Sequence, residues 1–302
     1  MSERDTFAFL VTGMGGQLSS DFVDVARPLG QTVFCKGLTI DDLDITDPFA
    51  VKDTVAEWCR VVRADSPSHR VVVINAAAYT AVDAAETPEG RRDAWAANVG
   101  GVAALVAAAR EHRSTLVHIS SDYVFDGTRD EHPEDEPFSP LGVYGQTKAA
   151  GDALVATLPQ HYVLRTSWVI GDGKNFVATM ASLADRGVQP GVVGDQHGRL
   201  TFTSEIARAV DHLLAVGAPC GTYNLSGAGE VMSWADIARA VFNERGRPAS
   251  DVRTVTTAEY GAGKDLAPRP RHSALALDKI RSTGFEPAPV VDQLADYLRV
   301  LP

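Results

Sequence analysis

Phe7-Ala-Phe-Leu-Val-Thr-Gly-Met-Gly-Gly-Gln-Leu-Ser19 opens on a continuous apolar run that stops at Gly13. Phe7 to Thr12 reads as a strand, Gly13 to Ser19 as a glycine-rich turn, and the residues through Leu29 as a helix. In that order the three pieces form an anion-binding device: backbone N–H groups of the turn and the helix N-terminus face a pyrophosphate. A glycine-rich turn alone is a weak signal, because any tight turn recruits glycine. The flanking strand and helix give it weight. Its spacing is Gly13-x-x-Gly16-x-x-Ser19, with a slightly larger residue where a third glycine or an alanine lets helix and strand pack closely.

Working outward, Gln31 to Cys35 reads as a second strand, followed by Lys36. An acid at that strand end would hold a ribose 2′-hydroxyl, whereas a lysine suits a 2′-phosphate, so Lys36 favours NADP(H) over NADH. The plain alternative is a solvated lysine. In Asp41 to Pro48, Asp47 is placed as an N-cap with Pro48 at the first helical position, and the Asp44-Ile45 pair can meet an adenine. A helix over Phe49 to Ala64 leads to the β-branched strand Arg70 to Ile74, suited to a buried parallel sheet. After it, Ala76, Ala77 and Ala78 let the backbone approach a flat ligand, or a neighbouring helix. Arg92 to His112 reads as one long helix carrying Asn98, and Thr115 to Ser120 as the next strand. Ser120-Ser121-Asp122-Tyr123 then falls at a strand's carboxyl end, where open α/β sheets bind ligands. The acid- and proline-rich loop Gly127 to Pro140 is expected to be exposed and mobile.

Val143-Tyr-Gly-Gln-Thr-Lys-Ala-Ala-Gly151 carries the chemistry. Tyr144 and Lys148 are four apart, on one face of a helix, where an ammonium can act on a phenol. A free phenol titrates near about 10, and an adjacent cation brings it toward the working pH. Tyr144 is thereby placed to protonate a carbonyl oxygen that receives hydride, and Ser121 to donate a hydrogen bond to the same oxygen. Such pairs also arise by chance on helix surfaces; here the glycine turn and the Ser-Ser-Asp strand end complete the set.

The remainder alternates strands (His161 to Val169, Gly221 to Leu225) with helices (Glu205 to Leu214, Ser233 to Phe242, the latter opened by a serine cap), then becomes proline-broken. The fold class predicted is α/β: a Rossmann-type doubly wound parallel sheet with a smaller, interleaved C-terminal substrate-binding lobe. Residues 1–170 form the NADP(H)-binding domain, to which about 195–225 returns; 171–194 and 226–302 form the lobe. At 302 residues the chain has ample length for this. A formal charge of -11 argues against a nucleic-acid partner. The cysteines Cys35, Cys59 and Cys220 are scattered, with no CxxC and no histidines at ligand spacing, which points to reduced thiols in a cytoplasmic protein and to no metal site. Phe7 to Val11 is too short for a signal or membrane segment, so no membrane partner is expected.

These residues resemble the extended short-chain dehydrogenases and, within them, the dTDP-4-dehydrorhamnose reductases. The resemblance rests on Asn75-Ala-Ala-Ala-Tyr-Thr-Ala-Val-Asp83, Ser121-Asp-Tyr-Val-Phe-Asp-Gly127 and Arg165-Thr-Ser-Trp-Val169, besides the glycine turn and the Tyr144 helix, and extends through Val192 to Gly198, Tyr223 to Ser226, Trp234 and Arg269 to Ser273. It implies reduction of the C4 ketone of a dTDP-4-keto-6-deoxyhexose by NADPH, with NADH as the other option. By position it implies cofactor contacts at Gly13, Gly16, Gln17, Leu18, Asp44, Ile45, Ala77, Ala78, Tyr79, Tyr144 and Lys148. Sugar contacts are implied at Thr80, Val82, Ser121, Asp122, Tyr123 and Trp168. A homodimer is part of the resemblance; some members hold Mg2+ at the dimer contact through glutamates, and Asp21 occupies the first such position here. Three positions depart from the pattern: Ser19, Ser121 in place of a frequent threonine, and Arg199-Leu200-Thr201, where a proline usually precedes the threonine. Two other functions share these residues: a 4-ketoreductase of another dTDP-deoxysugar, and a regulatory subunit that binds NADP(H) without turnover.

Overall fold

Aliphatic side chains buried on both faces put Arg70–Asn75 (β3) and Thr115–Ser121 (β4) in the middle of a sheet whose pairings are all parallel. The computed structural model describes residues 7–18 and 34–301. Among these, six strands form the sheet: Phe7–Thr12 (β1), Phe34–Leu38 (β2), β3, β4, His161–Thr166 (β5) and Gly221–Leu225. Their order is β2-β1-β3-β4-β5 and then Gly221–Leu225 at the far edge. The chain runs outward from β1 to β2, then crosses back to β3 and proceeds the other way. Ligands of open α/β sheets sit at that reversal, outside the carboxyl ends of β1 and β3. The expected helix through Leu29, Ser19, Asp21 and the start of the second strand lie outside the described residues.

The second strand runs later than expected, to Leu38 rather than Cys35. Lys36 therefore stands in mid-strand, paired with Leu10, instead of at the carboxyl end. Helix Pro48–Asp65 begins as its sequence prescribes: the Asp47 carboxylate accepts from the N–H groups of Phe49 (2.9 Å) and Ala50 (3.1 Å), with Pro48 inside the first turn. It covers one sheet face with helices Val102–His112 and Val143–Val155, enclosing Leu10, Val55, Val73, Leu105, Leu116 and Val163. Helix Thr203–Ala215 covers the other face, where Val11, Val117, Leu164, Ile206, Val210 and Leu213 meet. A third apolar cluster joins helices Phe176–Asp185, Trp234–Glu244 and Val290–Val300. Within 195–225, Leu200 and Phe202 belong to this third cluster, while Thr203–Ala215 and Gly221–Leu225 pack with the sheet. Leu277, Ile280 and Phe285 also join the sheet side.

Two expectations are corrected. The span Arg92 to His112 is not one α-helix: Pro88–Trp95 passes through a π-helical segment, Ala96–Gly101, before Val102–His112. A side chain at Gly101 would lie 2.8 Å from Ile45, so the wide turn sits against that loop and re-aims Asn98. The loop 127–140 is also less free than its composition suggests. His132 is fully buried, stacked 4.8 Å from Phe125, with its Nδ1 2.9 Å from Glu136. Asn224 holds the loop from the sheet edge, donating to the His132 carbonyl (2.8 Å) and, through its backbone, to Glu134 (2.9 Å). Among the described residues no helix is long and apolar enough to cross a membrane.

A buried ion pair joins the Tyr144 helix to the sheet. Arg165 Nε donates to Asp152 Oδ2 at 3.0 Å, its Nη1 reaches the Glu134 carbonyl at 3.0 Å, and its guanidinium lies over Phe125 and Phe138. Breaking a buried pair strands the other charge, so Arg165→Met is expected to lower unfolding free energy by about 3–5 kcal/mol. Urea denaturation reads this; a loss under about 1 kcal/mol would mean that Asp152 escapes by taking a proton.

Candidate active site

At the carboxyl ends of the strands lies a cleft of about 1100 Å³. Its floor is the glycine turn. Gly13 (φ 81°) and Gly15 (φ 93°) adopt left-handed backbone, and a Cβ on Gly13 would fall 2.5 Å from the Ala77 nitrogen. Small residues on both sides thus bring β1 and β3 close enough to leave a smooth backbone cradle, the shape a pyrophosphate requires. Gly16, Gln17 and Leu18 line it, and Gln17 Nε2 reaches across to the Lys174 carbonyl (3.2 Å). One wall holds Asp44 and Ile45, joined by Thr39, Ile40, Leu43 and Thr46; the opposite side holds Ala77, Ala78 and Tyr79. Lys36 is exposed on β2 and is not among the lining residues.

Asn98 props the Ala-Ala-Ala-Tyr segment. Its Oδ1 accepts from the Tyr79 N–H (2.9 Å), and its Nδ2 donates to the Tyr79 carbonyl and to Thr147 Oγ1, both at 3.0 Å. The π-helical turn makes this possible, and a π-turn leaves no clear mark in sequence; Asn98 was placed on a helix but with no task. Gly151 lets the two helices meet there, since a Cβ would sit 2.8 Å from the Asn98 carbonyl.

Tyr144, Lys148 and Ser121 converge at the cleft's centre. Lys148 is 2% exposed; its Nζ donates to the Ile119 carbonyl at 2.7 Å and lies 3.5 Å from His118 Nε2. Burial pulls the ammonium down to about 8, against the attraction of Asp152 one turn along the helix. Burial also keeps His118 neutral, lowering it well below its ordinary value, with Lys148 adding to the effect. His118 continues to Asn75 (3.0 Å) and Asn75 to Thr12 (2.8 Å), a polar chain through three strands. Tyr144 behaves contrary to the sequence expectation. Burial first, then the Asp122 carboxyl, raises its phenol, and a hydrogen bond with Ser121 only partly opposes them. The cation four residues away spends its near contacts on the Ile119 carbonyl. Ser121 Oγ lies 2.9 Å from Asp122 Oδ1 and accepts from the Tyr123 N–H at 3.2 Å.

At the far end Thr80, Val82, Tyr123 and Trp168 join the lining, with Trp234, which the sequence had not singled out for the site. The expected strand through Val169 ends at Thr166 because Trp168 turns into left-handed backbone (φ 48°), rare for so large a residue and a sign of a position held by its surroundings. Its indole stacks on Trp234 with centroids 3.7 Å apart, Phe176 backs the Trp234 ring at 4.5 Å, and a Cβ on Gly198 would come 3.0 Å from the Trp168 indole. Tyr123 meets Tyr144 edge-on at 5.5 Å. Arg269 Nη2 and Asp83 pair at 2.9 Å beside Tyr123, tying the C-terminal segment to the loop after β3.

A family model described as the RmlD substrate binding domain matches residues 7–301. A curated dTDP-4-dehydrorhamnose reductase of Aggregatibacter actinomycetemcomitans is 38% identical, aligned over 92% of this chain and 94% of that protein. The chain belongs to the dTDP-4-dehydrorhamnose reductase family. A solved family member from Bacillus anthracis, in complex with NADP, superposes with a TM-score of 0.85 at 29% identity, over 98% of this chain and 99% of that one. Also similar, at 38% identity over 92% and 90%, is a probable dTDP-4,6-dihydroxy-2-methyloxan-3-one 4-ketoreductase of Streptomyces antibioticus. The family relationship extends over both halves of the cleft, from glycine turn to tryptophan pair.

Removing the Asn98 amide leaves the Tyr79 N–H and carbonyl without their partner. Asn98→Ala is therefore expected to cost about 2 kcal/mol in urea unfolding and to speed hydrogen exchange of the Tyr79 amide to the level of an open loop. An unchanged midpoint and a protected Tyr79 amide would show that the loop holds itself.

Proposed function

We propose that this protein reduces the C4 ketone of dTDP-4-dehydro-6-deoxy-L-mannose (dTDP-4-dehydrorhamnose), giving dTDP-L-rhamnose. The observation that carries the reading is the meeting of Ser121, Tyr144 and Lys148 between a glycine cradle and an aromatic sugar-sized platform in one cleft. The cradle at Gly13, Gly16, Gln17 and Leu18, with Asp44 and Ile45 for an adenine and Ala77 to Tyr79 behind it, fits a dinucleotide. NADPH bound there supplies the hydride. Tyr144 gives its proton to the ketone oxygen, and Ser121 holds that oxygen by a hydrogen bond. Lys148, anchored on Ile119, provides the positive charge that the phenolate needs as it forms. Thr80, Val82, Asp122, Tyr123 and Trp168 contact the sugar nucleotide. No group of three His, Cys, Asp or Glu side chains among the described residues is placed to hold a metal ion.

A second reading keeps the chemistry and changes the sugar. The likeness to the Streptomyces antibioticus ketoreductase favours it, as does Arg199-Leu200-Thr201 beside Trp168. Assay of several dTDP-4-ketosugars separates the two. We place the enzyme in the cytoplasm, where the thiols of Cys35, Cys59 and Cys220 remain reduced, and as a homodimer, which light scattering tests.

NADPH oxidation with dTDP-4-dehydrorhamnose generated in place is expected to yield dTDP-L-rhamnose, and a protein that binds NADPH without consuming it refutes the proposal. Tyr144→Phe is expected to lower turnover by about two to four decades while NADPH affinity stays within about threefold. Lys36→Asp tests the cofactor reading: a shift from NADPH toward NADH places a 2′-phosphate near that side chain, and no shift removes Lys36 from the site.

A further inference from the structure

The hydroxyl of Ser121 has three polar neighbours, and the way it serves them depends on the proton of Asp122. A serine oxygen offers one proton and two lone pairs. Around Ser121 Oγ stand the Tyr123 N–H at 3.2 Å, which only donates, the Asp122 Oδ1 at 2.9 Å, and the Tyr144 phenol. With Asp122 ionised, the serine proton must go to the carboxylate, and the free lone pair attracts the Tyr144 proton. Neither hydroxyl then points at a substrate. With Asp122 as the acid, its O–H and the Tyr123 N–H occupy both lone pairs. The serine proton is released outward, and the tyrosine proton with it, so that two donors are available for the two lone pairs of one ketone oxygen.

We propose that Asp122 works as a neutral carboxylic acid, a positioning residue whose proton turns the Ser121–Tyr144 hydroxyl pair toward the substrate ketone. The inference rests on the ketone-reductase reading above. Burial supports it: Asp122 is 3% exposed and its carboxyl is pushed up to about 6, because loss of water outweighs the Ser273 and Ser121 hydroxyls and the pull of His132. The other groups around it do not supply a compensating charge. Tyr123 and Tyr144 are both raised phenols, and His132 is engaged by Glu136 and stacked on Phe125. Arg269 is paired with Asp83, Lys148 is held on the Ile119 carbonyl, and Asp152 is paired with Arg165. An ionised Asp122 would also oppose negative charge on the nearby ketone oxygen as hydride arrives.

The sign follows: the acid form is the active one, so kcat/KM should be full below about pH 6 and fall as pH rises through that value. Loss of the Lys148 charge gives a separate fall near 8. The experiment compares kcat/KM against pH for the wild type, Asp122→Asn and Asp122→Leu. It adds a carbon-13 titration of the aspartate carboxyls in the wild-type protein. An amide N–H donates to Ser121 at every pH, so the asparagine variant should lose the lower fall and keep the upper one. The leucine variant, with no donor, should run about a hundredfold below the asparagine variant across the range while still binding NADPH. A lower fall that persists in Asp122→Asn, or an Asp122 carboxyl titrating near the ordinary value of about 4, overturns the proposal. The carboxyl titration decides even where the variants do not fold. A wild type inactive on every ketosugar at every pH would remove the reductase reading and this inference together; an active wild type with an unaltered asparagine profile removes only the role of Asp122.

Discussion

A single ammonium group, shut away from water between β4 and the helix Val143–Val155, sets the terms for its surroundings. A buried charge is tolerated only with partners. Lys148 therefore holds the Ile119 carbonyl and has Asp152 one turn along, and Asp152 in turn requires Arg165 from β5. On the other side His118 must stay neutral to face a cation, and its second nitrogen is occupied by Asn75, which holds Thr12. Four neighbouring strands are thus linked by side chains of one polar chain, at the level where the sheet meets the cleft. A one-residue slip of any strand would turn these groups to the wrong face. The proton chemistry and the register of the sheet have a common origin.

The parts legible in the sequence were those whose causes are local. β-Branched runs marked β3, Asp47-Pro48 marked a helix start, and Ser233 formed the expected cap, which Asp236 completes as a capping box. The glycine turn and the Tyr144–Lys148 pair were legible because their chemistry demands fixed short spacings. What escaped depended on residues distant in the chain. The π-turn exists because Gly101 meets Ile45 and Asn98 meets Tyr79. Loop 127–140 looks mobile until Asn224 is seen to hold it. Spacing placed a cation near the Tyr144 phenol, but only the fold shows that burial and Asp122 raise the phenol. Lys36 was misplaced along β2 by the same kind of limit, since a strand's end is set by its partner's length.

The cleft divides its tasks between separate pieces of backbone. Ser121, Tyr144 and Lys148 are set by β4 and one helix, tightly surrounded by glycines that admit no side chain: a Cβ on Gly145 would lie 2.2 Å from the Tyr123 carbonyl. Thr80 and Val82 come from the loop after β3, Trp168 from the end of β5, and Trp234 from the start of a later helix. Changes at those rim positions leave Ser121, Tyr144 and Lys148 where they are. A family with such an arrangement can diversify in the sugar it accepts while its reaction stays fixed, in keeping with relatives named for different ketosugars.

The stacked indoles at the sugar end have a further consequence. Of the four tryptophans, Trp58 and Trp95 lie on helices beside the sheet, whereas Trp168 and Trp234 face each other at 3.7 Å. Two identical chromophores that close share their ultraviolet excitation, and the sharing decays steeply with separation and angle. One ring is fixed to the end of β5 and the other to the first turn of a helix in the third apolar cluster. The protein thus contains an optical gauge of how the end of β5 sits against that helix, readable by circular dichroism without any label.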